Sequence, residues 1–530
     1  MKIGLIRNEY GWERILEQEK VPWEIAKINN LSKYSLLILN SNKISEENKD
    51  NIKTYIVNGG ALLTDALSFK VLDKNRKISK IYINSIYGEG DLFRNISKIN
   101  IENYGYKIKK ANIGKINNKT GAIYSSRIGK GFIIVLPFDL NLLILDERSD
   151  KIYLSSPHAP LKENISVTSK GDLRRLIINC FHYLHLIRNI PYLNVWYYPR
   201  NYETIFCYRI DLDVFNKNEI NNIVRVIKEK KINFTWFLSV INNKNYENGI
   251  KLLHKLNQNL QSHSYEHKVY DSFEGNYKNI LEADKFISRI SNKVSGFASP
   301  FGYWNKKLGL ALEKINYLYS SEFSLSYDDL PFYPYLDKKK SKVIQLPIYP
   351  ICVGSLIMRL YSKEKMKSYF NYLINMQYNK QMPLLLYDHP NDGVGVYPEV
   401  LDYLLKKIKS LDNILITNLN EFARWWKKRE KSKFNSSIKD NKIKIQTNNN
   451  DKDIYLRIIL PGYKEHRLPL KNQLININEI ETEQMSEFKE NKIRNIDILK
   501  SKFLFSVFYF KILIKAIRKR LFNLKNRLLK

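Results

Sequence analysis

The chain has 530 residues, 44% of them hydrophobic and 13% aromatic. That is enough apolar surface for packed cores, which excludes a wholly disordered chain, and one core rarely grows past ~250–300 residues, so two to four domains are expected. Lys and Arg number 87 against 53 Asp and Glu, a net charge of +34, a field that suits anionic lipid or acidic glycan; the basic residues are scattered and no nucleic-acid-binding motif stands out, so no nucleic-acid partner is expected.

The first residues, MKIGLIRNEYGW, hold no apolar signal region, and no run reaches the roughly 18 apolar residues that span a bilayer. A cytoplasmic protein is expected. Short apolar runs at 2–6, 34–40 (YSLLILN), 61–64 and 132–136 (FIIVL) alternate with helical stretches, the pattern of buried parallel strands in an α/β layer fold. A helix near 173–186 closes this region. It carries His182 and His185 at i, i+3, a spacing that suits an interface or a metal. Residues 191–199 read as a linker.

From 203 to about 425, strands and helices alternate again: strand 204–210, helix 219–230, strand 234–239, helix 246–256, and so on to strand 414–417. Repeated βα units predict a parallel sheet or barrel. After Lys427 the sequence KKREKSKFNSSIKDNK reads as a charged linker. Residues 442–446 and 454–460 predict strands of a small β module. The three cysteines, Cys180, Cys207 and Cys352, form no Cys-x-x-Cys pair, so neither a disulfide framework nor a thiolate zinc site is expected. The expected domains are 1–190, 203–427, 440–480 and a tail at 498–530.

Chemistry gathers in the second region. Asp211 and Asp213 are two apart at the end of a strand, so their side chains point the same way. Two facing carboxylates repel unless a cation or proton lies between them. His263 and His267 are four apart in QSHSYEH, and on a helical turn that spacing puts both imidazoles on one face. One Asp and two His make a three-ligand site with open positions; the other Asp can then remove a proton from the attacking water. The loop GFASPFG holds Pro300, Phe301 and Gly302, whose backbone can supply an oxyanion N–H. The strand LLLYDHP delivers His389, suited to protonate a leaving amine.

In this order the pieces resemble the polysaccharide deacetylase family, the NodB-homology domain. The Asp pair of its first motif is met by Asp211 and Asp213. His-Ser/Thr-x-x-His is met by His263-Ser264-Tyr265-Glu266-His267. Arg-x-Pro-Tyr/Phe-Gly is met in part by Ala298-Ser299-Pro300-Phe301-Gly302, and the final His by His389. The resemblance implies a distorted (β/α) barrel and a divalent metal, zinc, held by Asp213, His263 and His267. It also implies an N-acetylated sugar or glycan as substrate, with Asp211 as base and His389 as acid. Two departures stand out: Asp-x-Asp replaces adjacent Asp-Asp, and Ala298 stands where the family has Arg. Arg209, two residues before Asp211 on the same face, can supply that charge. The first region resembles glutamine-amidotransferase-like domains of flavodoxin-like, doubly wound fold. It has no Cys before Cys180, so a non-catalytic role is expected.

Two further readings stay open: a glycan-binding protein on a degenerate deacetylase scaffold, and hydrolysis of another non-peptide C–N bond. The tail has no Asp or Glu after Asp497 and carries Lys515, Arg518, Lys519 and Arg520 beside an apolar stripe. As a basic amphipathic helix it is expected to attach peripherally to an anionic inner membrane face.

Overall fold

The computed structural model describes residues 1–41, 44–96, 98–152, 163–291, 293–488 and 510. In the first region five parallel strands lie side by side in the order Trp23–Ile25, Ile3–Leu5, Leu36–Leu39, Ala61–Asp65, Gly131–Leu136. Numbered along the chain this is 2-1-3-4-5, the flavodoxin-like order. Helices Tyr10–Glu19 and Lys170–Leu186 cover one face with Trp12, Leu16, Leu176 and Phe181. Helices Glu46–Val57 and Ala66–Leu72 cover the other with Ile52, Tyr55 and Phe69. Layers on both faces explain why the strands read as unbroken apolar runs.

Four antiparallel strands, Ile78–Tyr87, Ile99–Ile108, Ile113–Ile116 and Thr120–Ile128, extend this sheet past Gly131–Leu136. The sequence reading did not find them. Their outer positions are Lys, Asn, Ser and Tyr, and the buried positions are interrupted by a register shift between Ile83 and Ser85, so no clean period-2 signal survives.

The second region is an eight-stranded sheet with only parallel pairings. Its order is Ile344–Gln345, Tyr319–Ser321, Gly296–Ala298, Asn259–Ser262, Thr235–Leu238, Thr204–Leu212, Leu384–Asp388, with Ile414–Thr417 paired to the first residues of Thr204–Leu212. The sheet curls, and Tyr349 N–H donates to Leu385 C=O at 3.0 Å across the open side. This is a half-barrel, with every strand's C-terminal end at the same rim.

Two stretches read as linkers are structured. Tyr192–Val195 is a buried strand paired antiparallel with Tyr455–Leu460, in one sheet with Lys464–Pro469 and Glu483–Gln484. The charged run after Lys427 is the end of helix Leu419–Glu430 and then strand Phe434–Lys439, which joins Lys442–Thr447 and Gln473–Asn476 in a second small sheet. The misreading has a clear cause. Arg429 looks like a solvated charge in sequence, yet it is fully buried and donates to the Val195 and Trp196 carbonyls at 2.7 Å each. His182 and His185 belong to the same interface. Both rings are buried edge-on to Tyr192, and burial lowers both pKa values, that of His185 to about 3. The structure uses them as neutral packing groups, not metal ligands.

One buried ion network ties the three parts together. Asp329 of the half-barrel pairs with Arg14 and with Arg174, at 2.8 Å each, and Glu19 receives Tyr197 Oη at 2.6 Å and Arg457 at 3.6 Å. Removing one partner of such a network leaves a buried charge uncompensated, which costs ~3–5 kcal/mol. Asp329→Ala is therefore expected to lower stability by about that amount in urea unfolding; a loss under ~1 kcal/mol would show the network to be dispensable.

Among the described residues no helix is long and apolar enough to cross a membrane. The tail expectation, with Lys515, Arg518, Lys519 and Arg520, falls outside the described residues.

Candidate metal and catalytic site

The site is built at the C-terminal rim of the half-barrel. Strand Thr204–Leu212 is buried over all nine residues. It turns Arg209 and Asp211 to one face and brings Asp213 out one residue past its end. The next-but-one strand, Asn259–Ser262, stops just before His263. Residues 263–267 are not helical, contrary to the expectation from their spacing. Ser264 and His267 hold φ of 66° and 48°, and these two left-handed residues curl the loop so that both rings meet.

His267 Nε2 lies 3.1 Å and His263 Nε2 3.3 Å from Asp213 Oδ1, and the two Nε2 atoms are 3.2 Å apart. One donor atom from each of the three residues falls within 4.8 Å of the others. His263 Nδ1 donates to the Ala298 carbonyl at 2.7 Å. A carbonyl only accepts, so the proton is on Nδ1 and the Nε2 lone pair points at the cluster, the usual second contact of a metal-binding His. Asp213 Oδ1 is buried and accepts no hydrogen bond among the described residues. Two imidazole nitrogens converging with an unsatisfied carboxylate oxygen make three lone-pair donors that fit a divalent cation.

Behind this cluster Arg209 grips Asp211 with both ends of its fork: Nε to Oδ1 and Nη2 to Oδ2, each at 2.6 Å. Its Nη1 donates to the Ser321 carbonyl at 2.6 Å. Asp211 is 2% exposed. Burial resists its charge, but Arg209, with His263 and His389 further off, holds the carboxyl below its ordinary value. The guanidinium that pairs with Asp211 thus comes from the strand that bears the Asp pair.

His389 follows strand Leu384–Asp388, with Nε2 3.7 Å from Asp213 Oδ2. Burial disfavours its imidazolium, but the Cys352 side chain and the Asp213 and Asp211 carboxylates raise its pKa to about 10. Asp388 beneath it accepts from the Val353 and His389 backbone N–H groups at 2.7 and 2.9 Å. The sequence reading missed Cys352. Its only signal was a Cys 37 positions before His389, and that separation carries no spacing rule.

The turn at Pro300–Gly302 faces the cluster. Phe301 holds φ 58° and Gly302 φ 61°, and a Cβ on Gly302 would meet the Phe323 ring at 2.2 Å, so glycine is required there on both counts. Gly302 N–H donates to Ser299 and Tyr303 N–H to Pro300. Phe301 is 67% exposed and its ring stands 5.1 Å from that of His267.

Residues 211–320 match the polysaccharide deacetylase family. No curated relative matches the chain. Solved structures similar to part of it include one designated a polysaccharide deacetylase from Mycobacterium smegmatis, 11% identical over 44% of this chain and 94% of that one with a TM-score of 0.39. An allantoinase is 15% identical over 42% and 90%, TM-score 0.36. A CE4 family pseudoenzyme from Bacillus anthracis is 15% identical over 42% and 66%, TM-score 0.31.

Proposed function

For a chain whose residues 211–320 carry a polysaccharide deacetylase domain, we propose a metal-dependent hydrolase that removes N-acetyl groups from an amino sugar of a glycan. The observation that carries this reading is the unsatisfied Asp213 Oδ1 facing the Nε2 atoms of His263 and His267. A divalent cation held by these three, zinc by the nature of the donors, would polarise the acetyl carbonyl and make water a competent nucleophile near neutral pH. Asp211, kept ionised by Arg209, accepts the proton of the attacking water. His389, whose pKa the Cys352 side chain and the two carboxylates raise, gives a proton to the departing sugar amine. We assign the Phe301 backbone N–H as the oxyanion donor, a contribution of about 3–4 kcal/mol where such a donor is well aimed. The Arg209–Asp211 fork supports an active site over a degenerate one.

Acetate released from a soluble N-acetylglucosamine oligomer, lost on chelation and restored by zinc, is the expected result. Ammonia or urea released instead from another C–N substrate would move the reading to that class.

We read the first region as a non-catalytic, glutamine-amidotransferase-like domain. Its one cysteine, Cys180, lies buried inside helix Lys170–Leu186, and burial pushes the thiol pKa up, the opposite of what a nucleophile needs. The proposal includes attachment of residues 498–530 to an anionic inner membrane face. The full chain should pellet with anionic vesicles and one ending at Asp497 should not; equal pelleting would remove the tail from that role.

A further inference from the structure

Beside the metal cluster lies a cleft of about 390 Å³, lined by Lys268, Pro300, Phe301 and Tyr303 of the half-barrel and by Glu163 and Asn164 of the first region. That volume is in the range of small-ligand sites, about 300–1,000 Å³. Lys268 directly follows His267, and the Phe301 ring stands 5.1 Å from that imidazole, centroid to centroid, so the cleft adjoins the cluster on its His267 side.

The residues just after Glu163 hold it there. Ile165 is fully buried in the half-barrel's own core cluster, and Ser166 N–H donates to Phe323 C=O at 3.2 Å. Phe323 is the residue whose ring fills the space behind Gly302. The segment is therefore fastened to the same turn that shapes the site. Glu163 Oε2 is buried and accepts no hydrogen bond among the described residues, though its carboxylate is within electrostatic reach of Arg359 and Tyr387. A buried acceptor without a donor costs free energy that a ligand can recover. Phe301, 67% exposed, and Tyr303, 41% exposed, present apolar ring faces next to it. An acceptor beside exposed rings suits a sugar, whose C–H face packs on an aromatic ring while its hydroxyls donate.

We infer that Glu163, carried by the first region, is a specificity-determining residue of a second sugar subsite, accepting hydroxyl hydrogen bonds from the unit next to the one that is deacetylated. The inference rests on the proposed deacetylase reading for its substrate class. The first region then forms one wall of the substrate cleft, so the preference for oligomers over single sugars is set across the junction of two domains.

The test uses the full chain with Glu163→Ala and Glu163→Gln, N-acetylglucosamine and its tetramer as probes, and two readouts, calorimetric binding and acetate release. Glu163→Ala should weaken tetramer binding about tenfold and lower the tetramer-to-monomer ratio of kcat/KM by a similar factor. Glu163→Gln, whose carbonyl still accepts, should recover most of the loss. An equal loss on both probes, no loss on the tetramer, or a Gln variant as weak as Ala each overturns the subsite. A chain that binds the tetramer through Glu163 but releases no acetate removes the deacetylase reading and leaves the subsite standing. A wild-type chain that binds neither probe overturns the subsite itself.

Discussion

With both His263 and His267 replaced by Ala, the purified chain is expected to hold no divalent metal and to lose acetate release by roughly a thousandfold or more. The size follows from the role: a cation that stabilises developing charge is worth several kcal/mol, and each ~1.4 kcal/mol is tenfold in rate. The two rings supply two of the three donors that converge within 4.8 Å, and Asp213 alone cannot hold the ion against water. The loss should be local. Residues 263–267 form a loop beyond strand Asn259–Ser262, and no barrel pairing depends on the imidazoles. Elemental analysis of the folded double variant is the check; an unchanged metal-to-protein ratio would sink the ligand assignment.

Arg209→Ala should move the acid limb of the kcat/KM profile to higher pH by ~1–3 units, the effect of removing an opposite charge within hydrogen-bond reach of a carboxylate. The sign follows from what Asp211 must do. A base works only when unprotonated, and Arg209 now holds its pKa below the ordinary value. Without the fork only burial acts strongly, the pKa rises, and the base is lost at a pH where the wild-type chain still works. Below the shifted limb activity should fall about tenfold for each further pH unit, while at neutral pH most of the base stays ionised and the loss is small. Stability moves with it: a depressed folded pKa contributes stability above the unfolded value near ~3.9 that is lost as pH falls through the folded one. The variant leaves a buried carboxylate unpaired and gives up that contribution. Arg209→Lys keeps a charge but not the two parallel bonds, so its profile should fall between the two. An unmoved acid limb in a folded Arg209→Ala chain would show that Asp211 is not the base.

The sequence by itself determined the half-barrel's character and its chemical inventory. Runs such as LLLYD and FCYRIDL are apolar enough to be buried on both sides, and in such strands a charged residue at the end is conspicuous. Asp211, Asp213, His263, His267 and His389 were therefore legible as candidates, and the i, i+2 geometry of a strand even foretold that Arg209 would reach Asp211. Four of the five parallel strands of the first region were legible for the same reason; Trp23–Ile25, three residues long and not buried, was not. Chain folding at long range decided the rest, because no local pattern encodes it. Tyr192–Val195 became a strand only because Tyr455–Leu460 lies beside it. Arg429 became a core residue only because the Val195 and Trp196 carbonyls receive it. His182 and His185 became packing groups because Tyr192 closes over them. Cys352 meets His389 from 37 residues away and Glu163 meets the Pro300–Tyr303 turn from a segment 226 residues before His389; periodicity reports which face of an element is apolar, and only the packed fold fixes which distant side chains that face will meet.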